Sequence, residues 1–124
     1  ATKFAGEVTV DDNAIISANI LCHQFCHIGG YVMVQGGSRF SMDIPPYIIV
    51  GKEPARYMGI NLIGLRRRSF SNELIELIHN AYRILYGTGT RAENIQRIKS
   101  ELQLTPEIQY IIDFVEASER GIIR

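Results

Sequence analysis

Written in rows of six, the stretch from residue 4 to residue 45 keeps one column apolar: Phe4, Val10, Ile16, Cys22, Ile28, Val34 and Phe40. Four places further on runs a second column, mostly small or β-branched: Val8, Ala14, Ile20, Cys26, Val32, Ser38 and Ile44. The place after the first column is small or polar throughout, from Ala5 and Asp11 to Gln35 and Ser41. A period of six is neither the 3.6 of an amphipathic helix nor the alternation of a simple strand. It predicts a hexapeptide β-solenoid, with three short strands per coil and residues eighteen apart stacked at about 4.8 Å. Coils of this kind are left-handed, against the usual right-handed crossover. The turn-forming groups Asp11-Asp12-Asn13, Gly29-Gly30 and Gly36-Gly37 fall where the corners are needed. Little more than two coils leave an open strand edge, which predicts support from further coils or neighbouring subunits.

The pattern changes at Asp43-Ile44-Pro45-Pro46-Tyr47. Proline cannot donate to a ladder, so the repeat is expected to end there. A short strand over residues 48–50, a loop over 51–55 and a linker over 56–69 follow. Beyond it the period becomes helical. Ser71 caps a helix whose apolar face is Leu74, Ile78, Ala81, Tyr82 and Leu85, stopped by Gly87 and Gly89. Thr90 and Glu93 form a capping box before Ile95, Ile98 and Leu102. Thr105 with Pro106 opens a third helix carrying Ile108, Ile111, Ile112 and Val115. The expected architecture is a β-solenoid plus α: left-handed parallel β-helix coils over residues 1–53, then a linker and C-terminal three-helix domain over 54–124.

Composition narrows function mainly by exclusion. Thirteen basic and thirteen acidic residues cancel in the 124-residue chain, which gives no general affinity for nucleic acid or membrane surfaces. No apolar run approaches the roughly 18 residues of a spanning helix. The chain opens on Ala1 in mid-pattern, as expected of a processed chain or a fragment. Both cysteines occupy inward places and read as reduced core thiols, in keeping with a cytoplasmic protein. Cys22-His23-Gln24-Phe25-Cys26-His27 lacks ligand spacing for a metal, so none is expected. His23 stands beside a corner, as a surface or cleft side chain. His79 reads as solvated. Arg66-Arg67-Arg68 is either a solvated run or a clamp for phosphate oxygens, which guanidinium forks match.

Three segments together resemble a family. His23-Gln24-Phe25-Cys26, Asp43-Ile44-Pro45-Pro46-Tyr47, and the run from Gly59-Ile60-Asn61 through Arg66-Arg67-Arg68 to Ser71 are similar to the UDP-N-acetylglucosamine O-acyltransferases of lipid A biosynthesis. Arg120-Gly121-Ile122-Ile123-Arg124 is similar too. The resemblance implies transfer of a 3-hydroxyacyl group from acyl carrier protein, through its phosphopantetheine, to the sugar 3-hydroxyl. It implies a homotrimer with sites between adjacent prisms, no metal and no resident cofactor. By position, Gly6 matches a backbone donor to the thioester oxyanion. His23 and Gln24 match the sugar end, Asn61, Arg67 and Arg68 the nucleotide and diphosphate contacts, and Gly36 the acyl groove. The family's general base lies in a His-x-x-His-Asp segment one coil upstream, outside this sequence, so the chain alone is expected to be inactive. Glu7 and Ile63 depart from the family's usual His and Glu. A non-catalytic hexapeptide-repeat scaffold with a helical docking module is the alternative.

Overall fold

The computed structural model describes residues 3–4, 9–16, 21–22, 26–37, 39–51 and 56–124. Seven two-residue strands recur every six residues: β1 Lys3–Phe4, β2 Thr9–Val10, β3 Ile15–Ile16, β4 Leu21–Cys22, β5 His27–Ile28, β6 Met33–Val34 and β7 Arg39–Phe40. Consecutive strands belong to different sheets. Strands β1 to β4 each pair in parallel with the strand three further on, so Phe4 pairs with Cys22, Val10 with Ile28, Ile16 with Val34 and Cys22 with Phe40. The chain thus visits three narrow sheets in turn and returns after eighteen residues, the spacing the hexads require. Ile28, Val34, Cys26 and Val32 are completely buried, and Phe40 nearly so. Val10 was expected inside and is instead 41% exposed. Its strand β2 has one strand partner, β5, among the described residues, so one flank of Val10 is uncovered.

The prolines do not end the repeat; they shift it. Ile28 bridges to Ile44, and Val34 pairs with Val50 in strand β8, Ile48–Gly51. Both pairs are sixteen residues apart rather than eighteen. Phe40 is therefore followed by Ile44 after four residues, and Ile44 takes the place of the first inward column, not the second. Pro45 and Pro46 have no N–H to donate, so they fit the gap between two pairing positions. Gly29 makes the gap passable: a Cβ there would lie 2.5 Å from the Pro46 nitrogen and 2.7 Å from its Cα. Gly29→Ala should cost about 1–3 kcal/mol, read as a fall in denaturant midpoint without a change in slope. A midpoint unchanged within error would mean that the backbones can part at no cost.

Residues 56–69, expected as a linker, are structured. Strand β9, Arg56–Ile60, runs antiparallel to β8 and extends that sheet to the order β3-β6-β8-β9. A short helix α1, Leu62–Arg67, follows. Three longer helices then appear with the expected caps: α2 Asn72–Leu85 from Ser71, α3 Arg91–Glu101 from the Thr90–Glu93 box, and α4 Pro106–Ala117 from Thr105. Their apolar faces meet around Ile78, Tyr82, Ile98, Ile108, Ile111 and Ile112. His79 is exposed, as expected. The last residues are a strap. Ile122 bridges to Asp43, the Ile123 carbonyl accepts from Tyr86 Oη at 2.6 Å, and the Arg124 carbonyl accepts from the Tyr57 amide at 2.5 Å.

Candidate functional site

The arginine run is presented by α1. A helix of six residues has too few internal hydrogen bonds to hold itself, and this one is held at three points. Asn61 caps its start: Oδ1 accepts from the Gly64 amide at 3.2 Å, and Nδ2 donates to the Tyr31 carbonyl at 3.0 Å. Leu65, fully buried, fixes the middle. Its end folds back, with the Arg68 amide on the Gly64 and Leu65 carbonyls. Arg66 and Arg67 occupy the last turn, where a helix end favours cations, and Arg68 is the C-cap. All three side chains are exposed. None makes an ion pair or hydrogen bond to another described residue through its guanidinium. Ile63 beside them is 66% exposed, an apolar neighbour on the same helix.

The other expected site residues fall elsewhere. Gly6, His23 and Gln24, with the Glu7 departure, lie outside the described residues. Asn61 is pinned to Tyr31 and, through its amide, to the Tyr47 carbonyl at 2.8 Å, at the passage from the second sheet to the third. Gly36 is an exposed turn residue between β6 and β7, on the passage from the third sheet back to the first. Asn61 and Gly36 therefore lie at different corners of one copy of the chain.

Sequence reasoning missed a polar seam where α4 meets the strands. Asp11 takes His27 Nε2 at 2.7 Å on one oxygen and Tyr110 Oη on the other. The Gly30 amide donates to the same phenol oxygen at 2.8 Å. Burial first, and the Asp11 hydrogen bond second, raise the Tyr110 pKa above the ordinary phenol value. Asp43 accepts from the His27 amide at 2.8 Å and from Ser118 Oγ at 2.6 Å. Beside the seam lies a cavity of about 570 Å³ bordered by Thr9, His27, Phe114 and Arg120. A faint signal was present: Tyr110 and Phe114 on α4 and Ser118 at its C-cap recur every four residues, a second stripe beside the isoleucines.

Residues 43–123 match the family model described as UDP-N-acetylglucosamine O-acyltransferase, domain 2. This chain belongs to that family. A crystal structure of the UDP-N-acetylglucosamine acyltransferase from Bacteroides fragilis superposes with a TM-score of 0.96 at 64% identity, over 99% of this chain and 49% of that one. The corresponding enzyme of Acinetobacter baumannii gives 0.92 at 40% identity, over 98% and 48%. Among curated relatives, the acyl-[acyl-carrier-protein]–UDP-N-acetylglucosamine O-acyltransferase of Aliivibrio salmonicida is 40% identical across 121 residues, 97% of this chain and 46% of its own length. The enzyme of that name from Myxococcus xanthus is 39% identical, over 94% and 46%. The chain spans a little under half the length of these relatives. Their names are enzyme names, and the scaffold alternative is not favoured.

Proposed function

We propose that the protein carrying this chain transfers a 3-hydroxyacyl group from acyl carrier protein to the 3-hydroxyl of UDP-N-acetylglucosamine, opening lipid A biosynthesis. The observation that carries the reading is the joint match of sequence and fold: 64% identity with a TM-score of 0.96 across 99% of the chain. In this reading the three sheets form a left-handed β-helix, and copies associate as a homotrimer in the cytoplasm. The placement of Asn61 and Gly36 at different corners supports a site shared between prisms, where one copy's corner meets another's.

The reaction needs a base to take the proton from the sugar hydroxyl and a donor for the thioester oxyanion. The hydroxyl oxygen attacks the thioester carbonyl, the C–S bond breaks, and the phosphopantetheine thiol leaves with a proton. No metal or resident cofactor enters this scheme. Gly6 is assigned to the oxyanion through its amide, and His23 and Gln24 to the sugar. Gly36, having no side chain, leaves room for the acyl chain. Arg67, with Arg68, is assigned to the diphosphate by its match to the family's position, and guanidinium groups that are exposed and paired with no described residue are compatible with that role.

The full-length protein should form 3-O-acylated UDP-N-acetylglucosamine from an acyl carrier protein thioester. Arg67→Ala in that protein should raise KM for the UDP-sugar roughly 10- to 100-fold, the loss of a charge-assisted hydrogen bond of about 1.5–3 kcal/mol. Absence of any acyl transfer by the unaltered protein would defeat the reading, and an unchanged KM would remove the clamp.

A further inference from the structure

We propose that Phe70 is a positioning residue for the UDP-sugar: it fixes the end of α1 and, through it, the guanidinium groups of Arg67 and Arg68. The inference rests on the diphosphate assignment of those arginines above. Helix α1 ends in a Schellman clip, and both diagnostic bonds are present. The Ser69 amide donates to the Arg66 carbonyl and the Phe70 amide to the Leu65 carbonyl, each at 3.1 Å. Ser69 makes the reversal in the left-handed region, at φ +64°, where glycine is usual. Leu65 and Phe70 are the two apolar residues that such a clip brings together. Leu65 is fully buried, and the half-buried Phe70 packs against the same core.

A serine is unfavourable at that backbone angle, so the reversal needs a hold from outside itself. Phe70 supplies it. Its ring meets those of Tyr31 and Tyr47 edge to face, with centroids 5.1 and 5.9 Å away. Those two tyrosines stack on each other at 5.6 Å, and Tyr47 is buried. The three arginines thus sit between two anchors, Leu65 before them and Phe70 after. They are exposed, and no described residue takes the guanidinium of Arg67 or Arg68, so their placement is inherited from the backbone that carries them. The clip also suits the charge. A helix C-terminus repels anions through its open carbonyls, and here the Gly64, Leu65 and Arg66 carbonyls all accept from amides of Arg68, Ser69 and Phe70.

The test uses the full-length enzyme, with the UDP-sugar varied at saturating acyl donor. Phe70→Ala should raise KM about tenfold, with kcat held within about twofold. Phe70→Leu keeps the apolar contact with Leu65 but not the edge-to-face packing, and should raise KM only about threefold. In an Arg67→Ala/Arg68→Ala background, Phe70→Ala should add no more than about a twofold loss in kcat/KM, because the groups it places are gone. Two outcomes overturn the proposal. A lower denaturant midpoint or kcat with KM unchanged makes Phe70 a structural residue only. A loss that persists undiminished in the arginine-free background makes it a direct ligand of the UDP-sugar. Both leave the diphosphate assignment standing. A normal KM in the Arg67→Ala/Arg68→Ala enzyme itself would remove that assignment, and this inference with it. Should Phe70→Ala fail to fold, Phe70→Leu decides by the same comparison: a KM loss confined to the arginine-bearing enzyme supports positioning, and an unchanged KM or a loss in both backgrounds refutes it.

Discussion

Raising the pH from 10 to 12 should unfold the helical half of this chain, and tyrosine ionisation should appear together with unfolding. Tyr82, on the buried face of α2, is completely buried, its hydroxyl donating to the Pro46 carbonyl at 2.5 Å. Burial raises its pKa well above the ordinary phenol value, with further upward pushes from neighbouring Tyr86 and Tyr57. Tyr86 is raised too, again chiefly by burial, with Arg91 pulling the other way. The rings of Tyr57, Tyr82 and Tyr86 stack with centroids 4.6–6.1 Å apart, so no phenolate can form without placing charge inside the stack. The folded pKa values lie above the unfolded value of about 10. The contribution is therefore intact below pH 10 and is lost as pH rises toward the folded values. Each pH unit in that window costs about 1.4 kcal/mol per such tyrosine. Two units and two tyrosines give roughly 5 kcal/mol, comparable with the whole stability of a small domain. Absorbance of phenolate and far-UV ellipticity recorded on one titration should share a midpoint. Ionisation of all six tyrosines near pH 10 with the helices intact would show the stack to be open to solvent. Tyr82→Phe should move the midpoint upward.

Much of the fold is written locally, and those parts were legible. The hexad columns show because two-residue strands recurring every six residues admit only a few side-chain shapes at each inward place, and Cys26, Ile28, Val32 and Val34 are buried accordingly. The three long helices show because their first turns advertise themselves: Ser71, the Thr90–Glu93 pair, and Thr105 with Pro106 all cap as expected. The two-residue slip at the prolines was hidden. Pro45 and Pro46 look like a terminator, and it is the pairing of Ile28 with Ile44 and of Val34 with Val50 that shows the parallel pairing continuing. Strand β9 was hidden because Gly59, at φ +120°, interrupts an otherwise β-like run. Helix α1 is shorter than two turns and buries a single residue, Leu65, so it has no period to detect. The site divides in the same way. The arginine run is a local motif and was read. That Asn61 is tied to Tyr31, thirty residues away, and Asp11 to Tyr110, ninety-nine away, is a product of the fold and has no local trace.

Asp43→Ala should destabilise the chain by about 3–5 kcal/mol, more than any other single polar change expected here. Asp43 is buried, 6% exposed, and both carboxylate oxygens accept hydrogen bonds, from the His27 amide in β5 and from Ser118 at the end of α4. Hydrogen bonds to a charged group are worth about 1.5–3 kcal/mol each, and the partners left behind lose their acceptor. The same residue's backbone anchors the strap, its amide on the Gly121 carbonyl and its carbonyl under the Ile123 amide, each at 2.9 Å. Loss of the side chain therefore loosens three elements together: β5, the end of α4 and the final residues that hold Tyr86. Asp43→Asn keeps one acceptor and the same volume, so it should lose roughly half as much. Denaturant midpoints for the three proteins decide the matter. If alanine lowers the unfolding free energy by less than 1 kcal/mol, the carboxylate is incidental, and the strap is held by Ile122 and Ile123 packing into the core rather than by the aspartate that both strand and helix share.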